Sequence, residues 1–171
     1  LRALAVAGCT VEAKKVVDYL RRTFASPSGD FNRPDFDYAE AYFGACGEAG
    51  VGHIKLGYWH WSADKHYWTH LDEIRGFLEG FEKLSAKTGV KTVVHNHSGK
   101  SMGLHSCAAM NVVKGFDPAH VGVFADTGHL SVCGEPIEMA LDIVKDYLSG
   151  MAFKDLIKQR PLGRNVQGQP M

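Results

Sequence analysis

The sequence has no excess of either charge: 19 Lys and Arg stand against 19 Asp and Glu in 171 residues. Its longest basic tracts are Lys14-Lys15 and Arg21-Arg22, too little to follow a phosphate backbone, so nucleic acid is not an expected partner. Long apolar runs are missing as well. None approaches the roughly 20 residues of a bilayer crossing, so neither a span nor a membrane anchor is expected. Cysteine is sparse: Cys9, Cys46, Cys107 and Cys133 make no C-x-x-C pair and read as buried free thiols of a reducing, cytoplasmic compartment. Phosphate-cradling glycine motifs (G-x-G-x-x-G, G-x-x-x-x-G-K-[ST]) are absent, which argues against dinucleotide and P-loop chemistry. The chain opens at Leu1 without a methionine and runs at once into the apolar Leu4 to Ala7. That start reads as cut, and Lys158 to Met171, with two prolines and two glycines, reads as a loop or tail.

What the sequence does have is alternation. Short apolar runs at Leu4 to Ala7, His53 to Tyr58, Thr92 to Asn96, Val121 to Ala125 and Met151 to Phe153 predict strands. Between them, amphipathic stretches at Val11 to Phe24, Asp35 to Ala49, Tyr67 to Lys87, Met102 to Val113 and Pro136 to Leu148 predict helices. Leu71, Ile74, Leu78, Phe81 and Leu84 mark one face of the longest, and Gly89 follows its end. Alternating strands and helices predict a parallel α/β sheet, closed or open, as one domain over 1–171.

Polar residues gather where such a sheet keeps its chemistry, at the C-terminal ends of the strands. His95-Asn96-His97 ends one strand and Asp126-Thr127-Gly128-His129 ends the next. Strand alternation gives His95 and His97 the same face. Two imidazoles and a carboxylate from a neighbouring strand suit a divalent transition ion, which makes Asp126, His95 and His97 candidate metal ligands. His129 is a candidate for ligation, substrate hydrogen bonding or proton transfer, as His97 is for substrate binding and His95 for proton transfer. One strand-end histidine is commonly a hydrogen-bonded structural residue; three with an aspartate point to a functional pocket. Asp126-Thr127-Gly128 also fits an ordinary turn. Trp59 and Trp61, in Tyr58-Trp59-His60-Trp61, are candidate stacking surfaces for a sugar or polyol. Cys133 lacks a placed base and is a weak nucleophile candidate, Cys107 reads as helix core, and His105 and His120 as peripheral.

Three strand ends in series then resemble the sugar isomerase/epimerase superfamily with the xylose-isomerase-like TIM barrel. They are Val94-His95-Asn96-His97, Ala125-Asp126-Thr127-Gly128-His129-Leu130 and Met151-Ala152-Phe153-Lys154-Asp155. Asp117-Pro118 and Gly134-Glu135-Pro136 look similar too. The resemblance implies a divalent ion (Mn²⁺, Co²⁺, Mg²⁺ or Zn²⁺) held by Glu, Asp, His and Glu from four strand ends. It implies proton transfer beside a sugar carbonyl that the ion polarises. Of those ligands Asp126 is intact, His95 stands at the first Glu position and Ala152 at the His position, and the second Glu falls beyond Met171. Lys154 matches the family and is a candidate to bind substrate.

The expectation is a metal-assisted sugar or polyol isomerase/epimerase, or a related dehydratase. A non-catalytic carbohydrate- or metabolite-binding relative is the alternative. A neutral chain disfavours the DNA-repair branch of the fold. Against the roughly 250 residues of eight strand–helix units, five units imply a partial (β/α)8 barrel. Its open parallel edges call for a missing segment or a partner, a second copy in a homo-oligomer included.

Overall fold

The computed structural model describes residues 36–154 and residue 156. The strand expected at Leu4 to Ala7, the helix at Val11 to Phe24, the C-terminal tail, Cys9 and Asp155 lie outside the described residues.

Within them run α1 (Phe36–Glu48), β1 (His53–Lys55), α2 (Tyr67–Thr88), β2 (Lys91–His95), α3 (Ser106–Val113), β3 (Val121–Asp126), α4 (Thr127–Val132), α5 (Ile137–Val144) and β4 (Leu148–Ala152). The strands lie in chain order, β1-β2-β3-β4, and every pairing is parallel. This curled four-stranded sheet is half of a barrel, with helices joining successive strands as parallel pairing requires.

Helix packing follows the 3.6-residue period. Leu71, Ile74, Leu78, Phe81 and Leu84 of α2 are all buried, and they meet Ile54, Val94, Val121 and Val123 from the sheet and Val112 and Val113 from α3 in one core. Each such side chain contributes roughly 1.5–3 kcal/mol by leaving water. A buried polar pair sits among them: the hydroxyls of Ser85 and Thr92 are 2.8 Å apart. At its end α2 stops on Gly89, whose φ of 70° is the left-handed conformation that closes a helix, with its N–H donated to the Ser85 carbonyl.

The concave side of the sheet is different in kind. The His53 and His95 rings and the Lys55 ammonium surround the Phe124 ring at 6.4, 5.4 and 5.4 Å from its centroid. Histidine and lysine therefore stand where a helix-covered face carries aliphatics.

Several boundaries differ from expectation. β1 ends at Lys55, with one further ladder bond from Leu56 N–H to the Val93 carbonyl; beyond it the chain bonds the segment before α3 instead, the Trp59 carbonyl accepting Met102 N–H and Trp61 N–H donating to the Lys100 carbonyl. α3 starts at Ser106 rather than Met102, since Met102 N–H bonds the Trp59 carbonyl and Ser101 bridges His60. α5 ends at Val144, and β4 starts earlier, at Leu148, across a register shift at Val123/Phe124. α4 stands where only a turn was expected, for a reason that belongs to the site.

Candidate functional site

Asp126 is the last residue of β3 and the N-cap of α4. Its Oδ1 accepts the N–H groups of Gly128 (3.0 Å) and His129 (3.3 Å), which satisfies donors at the helix start and converts the expected turn into a helix. The other oxygen, Oδ2, is thereby left for side-chain partners. Asn96 fixes the backbone beneath it: its Oδ1 accepts Asp126 N–H at 2.6 Å and its Nδ2 donates to the Asp126 carbonyl at 3.2 Å.

Three cations or potential cations meet Oδ2. His95 Nε2 lies at 3.2 Å, Lys154 Nζ at 2.5 Å and His129 Nε2 at 3.9 Å. The Lys154 stem reaches there across Gly128, where a Cβ would sit 2.9 Å from Lys154 Cβ and 3.2 Å from Asp126 Oδ1. Burial pushes Asp126 toward the protonated form, but bonds from Lys154, the His129 N–H and His95 outweigh it and hold the carboxyl below its ordinary range. His95, only 5% exposed in its side chain, is pushed down to about 4 by burial and then by the Lys55 charge, against the pull of Asp126. At neutral pH the pair is therefore carboxylate and neutral imidazole.

That charge state fixes the protons. A carboxylate only accepts, so His95 Nε2–H donates to Asp126. Nδ1 then carries the lone pair and accepts the Tyr58 hydroxyl at 2.7 Å. His97 is set the opposite way: its Nδ1 lies 2.9 Å from the Ser98 carbonyl, so Nδ1–H donates and Nε2 keeps its lone pair. The His97 and His129 rings are 3.9 Å apart between centroids, and His129 Nδ1 bonds the Ser98 hydroxyl at 2.9 Å. Burial, then the neighbouring His97, lowers the His129 pKa against the attraction of Asp126.

Metal-ligating atoms of His95, Asp126 and His129 all lie within 4.8 Å of one another. Two nitrogens and an oxygen suit Zn²⁺, Mn²⁺ or Co²⁺, and the residues fit such an ion on two conditions. Lys154, half exposed, must leave Oδ2, with the ion taking over the neutralisation of the buried carboxylate. His95 must free Nε2, which moves its proton to Nδ1 and turns the Tyr58 hydroxyl from donor to acceptor. Ala152, paired with Asp126 across β3 and β4, offers only its carbonyl, to the Thr127 hydroxyl.

Of the residues singled out in the sequence, His95, His97, Asp126, His129 and Lys154 converge. His97 lies outside the compact triple, its ring against those of His129 and Tyr58. The tryptophan pair is split. Trp59 is 7% exposed in the apolar core, while Trp61, 42% exposed, walls an open cavity of about 320 Å³ with Tyr67, Lys100, Met102 and Leu104. Cys107, expected in the core, is exposed, and of the described cysteines only Cys46 is buried. A side chain at the second position of α3 points away from the buried Ala108, Ala109 and Val112. Tyr58, Asn96 and Ser98 were missed as members of the site. The position of Asn96 at a strand end was the available signal, since an Asn there is apt to pair with the neighbouring backbone.

The E. coli 3-keto-D-glucoside 4-epimerase YcjR superimposes with a TM-score of 0.66 at 15% identity, over 84% of this chain and 64% of that one. A D-tagatose 3-epimerase-like protein gives 0.61 at 13% identity, over 81% and 60%. The IolI protein with a bound zinc gives 0.55 at 16%, over 71% and 50%. The chain thus spans less than two thirds of each of these structures. No curated protein matches the sequence. Among the described residues no helix is long and apolar enough to cross a membrane. A sequence profile matches residues 5–170, and the chain belongs to the xylose isomerase-like TIM barrel family.

Proposed function

We propose that residues 1–171 form one partial barrel domain carrying the strand-end site of a sugar or polyol isomerase or epimerase, acting on a small-molecule substrate with help from a divalent ion. The observation that carries this reading is the triple of His95, Asp126 and His129 within 4.8 Å at adjacent strand ends. Solved relatives of the fold named as sugar epimerases, and one with zinc, support it.

Asp126, His95 and His129 would hold the ion, with water or substrate completing the set. Such an ion polarises a substrate carbonyl and stabilises the oxyanion beside it. The chain's own groups supply the rest. His97, held through Nδ1–H so that Nε2 keeps its lone pair, takes the proton from the adjacent carbon. Lys154, once off Asp126, offers an ammonium to a substrate oxygen. Trp61, at the exposed wall, gives a stacking face to the sugar ring. A cytoplasmic location and self-association belong to the same reading, the first supported by the free thiols of the described cysteines.

The full chain should bind about one Co²⁺ or Mn²⁺ at this site, and lose that binding in Asp126→Asn and His129→Ala. His97→Ala should keep the ion and lose turnover on a ketose/aldose panel. Retained turnover in His97→Ala with loss in His129→Ala would instead give the ion to His97 and the proton to His129. No metal uptake at this site and no turnover with added metal would remove the enzyme reading. The non-catalytic sugar binder would then stand, favoured by the Lys154 ammonium already seated on Asp126 and by Ala152. It expects a sugar-induced thermal shift that persists in EDTA and disappears in Trp61→Ala.

A further inference from the structure

The geometry points to a second divalent-cation site, formed by His105, Cys107 and Glu135 where the loop after β2 enters α3, and chemically suited to a zinc-class ion. An imidazole nitrogen, the thiol sulfur and a carboxylate oxygen lie within 4.8 Å of one another. Ligands of a tetrahedral zinc stand roughly 3.4–3.8 Å apart, given bonds of about 2.0–2.3 Å, so side-chain adjustments of about 1 Å close the set. The site shares no residue with the His95 triple and stands or falls separately from the proposed function.

Two segments build it, the first supplying two of the three ligands and the second one. His105 and Cys107 flank Ser106 at the start of α3, and Cys133 and Glu135 flank Gly134 after α4. The segments are already joined: the Ser106 N–H donates to Glu135 Oε2 at 3.0 Å, the Ser106 hydroxyl donates to Oε1, and the Cys133 thiol reaches the Leu104 carbonyl at 3.3 Å. These bonds hold the carboxylate in place while leaving each oxygen a further lone pair, as supporting bonds around metal ligands do. Cys107 is exposed and lies in the first turn of an eight-residue helix, whose positive end favours a negatively charged ligand.

Nitrogen, thiolate and carboxylate together select a borderline ion over Mg²⁺ or Ca²⁺. Binding forms a metal–sulfur bond and releases the thiol proton to solvent, and the two anionic ligands then balance the ion's charge. His105 gives something up. Its Nδ1 accepts the Ala108 N–H at 3.2 Å as the N-cap of α3. Ligation through Nδ1 replaces that bond, and ligation through Nε2 puts the proton on Nδ1 and ends it too. The bond is long for its type and cheap to exchange.

Cobalt tests this directly, because only a thiolate ligand gives a near-ultraviolet sulfur-to-cobalt charge-transfer band and the His95 triple contains no sulfur. The metal-stripped full chain, titrated with Co²⁺, should develop the band, and Zn²⁺ should abolish it. Asp126→Asn should retain the band. Cys107→Ser should lose it, and Glu135→Gln, which keeps an acceptor for Ser106, should weaken it at least tenfold with an unchanged far-ultraviolet circular dichroism spectrum. No band in the wild-type chain, or a band that survives Cys107→Ser, overturns the proposal.

Discussion

The two faces of the sheet are built on opposite rules. On the helix-covered face, Ile54, Val94, Val121 and Val123 meet Leu78 and Phe81, and stability comes from apolar area removed from water. At the strand ends of the concave face, one carboxylate, buried to 1% side-chain exposure, holds together His95, Lys154 and the start of α4, while the Asn96 amide grips the backbone of the same residue. There stability and chemistry depend on the same bonds. A substitution on the first face should act on folding alone, and one on the second should act on folding and on the proposed ion site together.

The largest expected effect is on the apolar face. Phe81→Ala should cost about 3–5 kcal/mol in urea unfolding, with Co²⁺ affinity at the strand ends unchanged in the folded fraction. A changed affinity would mean that the faces are not separable. Asp126→Asn comes next. The amide oxygen can still cap α4, so the loss of stability should be about 1–3 kcal/mol. Ion binding by calorimetry should nevertheless fall at least tenfold, and Asp126→Ala, which also removes the cap, should lose about 1 kcal/mol more.

Tyr58→Phe should cost about 1 kcal/mol and release the His95 tautomer, visible as a change in its ¹⁵N ring shifts. A tautomer that stays fixed would show that Asp126 alone sets it. Lys154→Ala removes the competitor for Asp126 Oδ2 and should raise ion affinity severalfold, since the ion then neutralises the buried carboxylate without displacing the ammonium. Weaker ion binding in that variant would contradict the competition. The smallest effect belongs to His53, whose pKa is lowered by burial and then by Lys91, and whose Nε2 has no hydrogen-bond partner among the described residues. The unfolded chain takes up this proton more readily than the folded one. Stability should therefore hold above the ordinary histidine value of about 6.5 and fall as pH drops below it. In His53→Leu the fall between pH 7.5 and 5, followed by urea unfolding, should be shallower.

The outer face was legible because burial there repeats with the period of the backbone. The spacing of Leu71, Ile74, Leu78, Phe81 and Leu84 names helix, face and partner at once, and Gly89 names the end. Of the site, the sequence made His95 and Asp126 legible, since both end strands at the same edge of a parallel sheet and successive strands of a barrel lie side by side. Trp59 and Trp61 were not separable by sequence, because a two-residue spacing outside a regular strand does not say which side chain turns inward. Helix α4 was hidden for a related reason: Asp-Thr-Gly is common to turns and to capped helices, and only the two N–H groups gathered on Oδ1 distinguish them. Cys107 was misplaced because a short helix covers so little of the core that its period is weakly marked.

The sequence by itself determined the alternation of strands and helices, the parallel sheet and the end of it that carries histidine and aspartate, since these follow from backbone periodicity and chain connectivity. The tertiary structure alone decided that His129 rather than His97 completes the compact triple, that Lys154 sits on Asp126, that Tyr58 sets the His95 proton, and that His105 and Cys107 face Glu135. Each of these is a meeting of groups some 25 to 40 residues apart. Such meetings depend on strand register, on caps and on a few hydrogen bonds between loops, none of which leaves a period in the sequence.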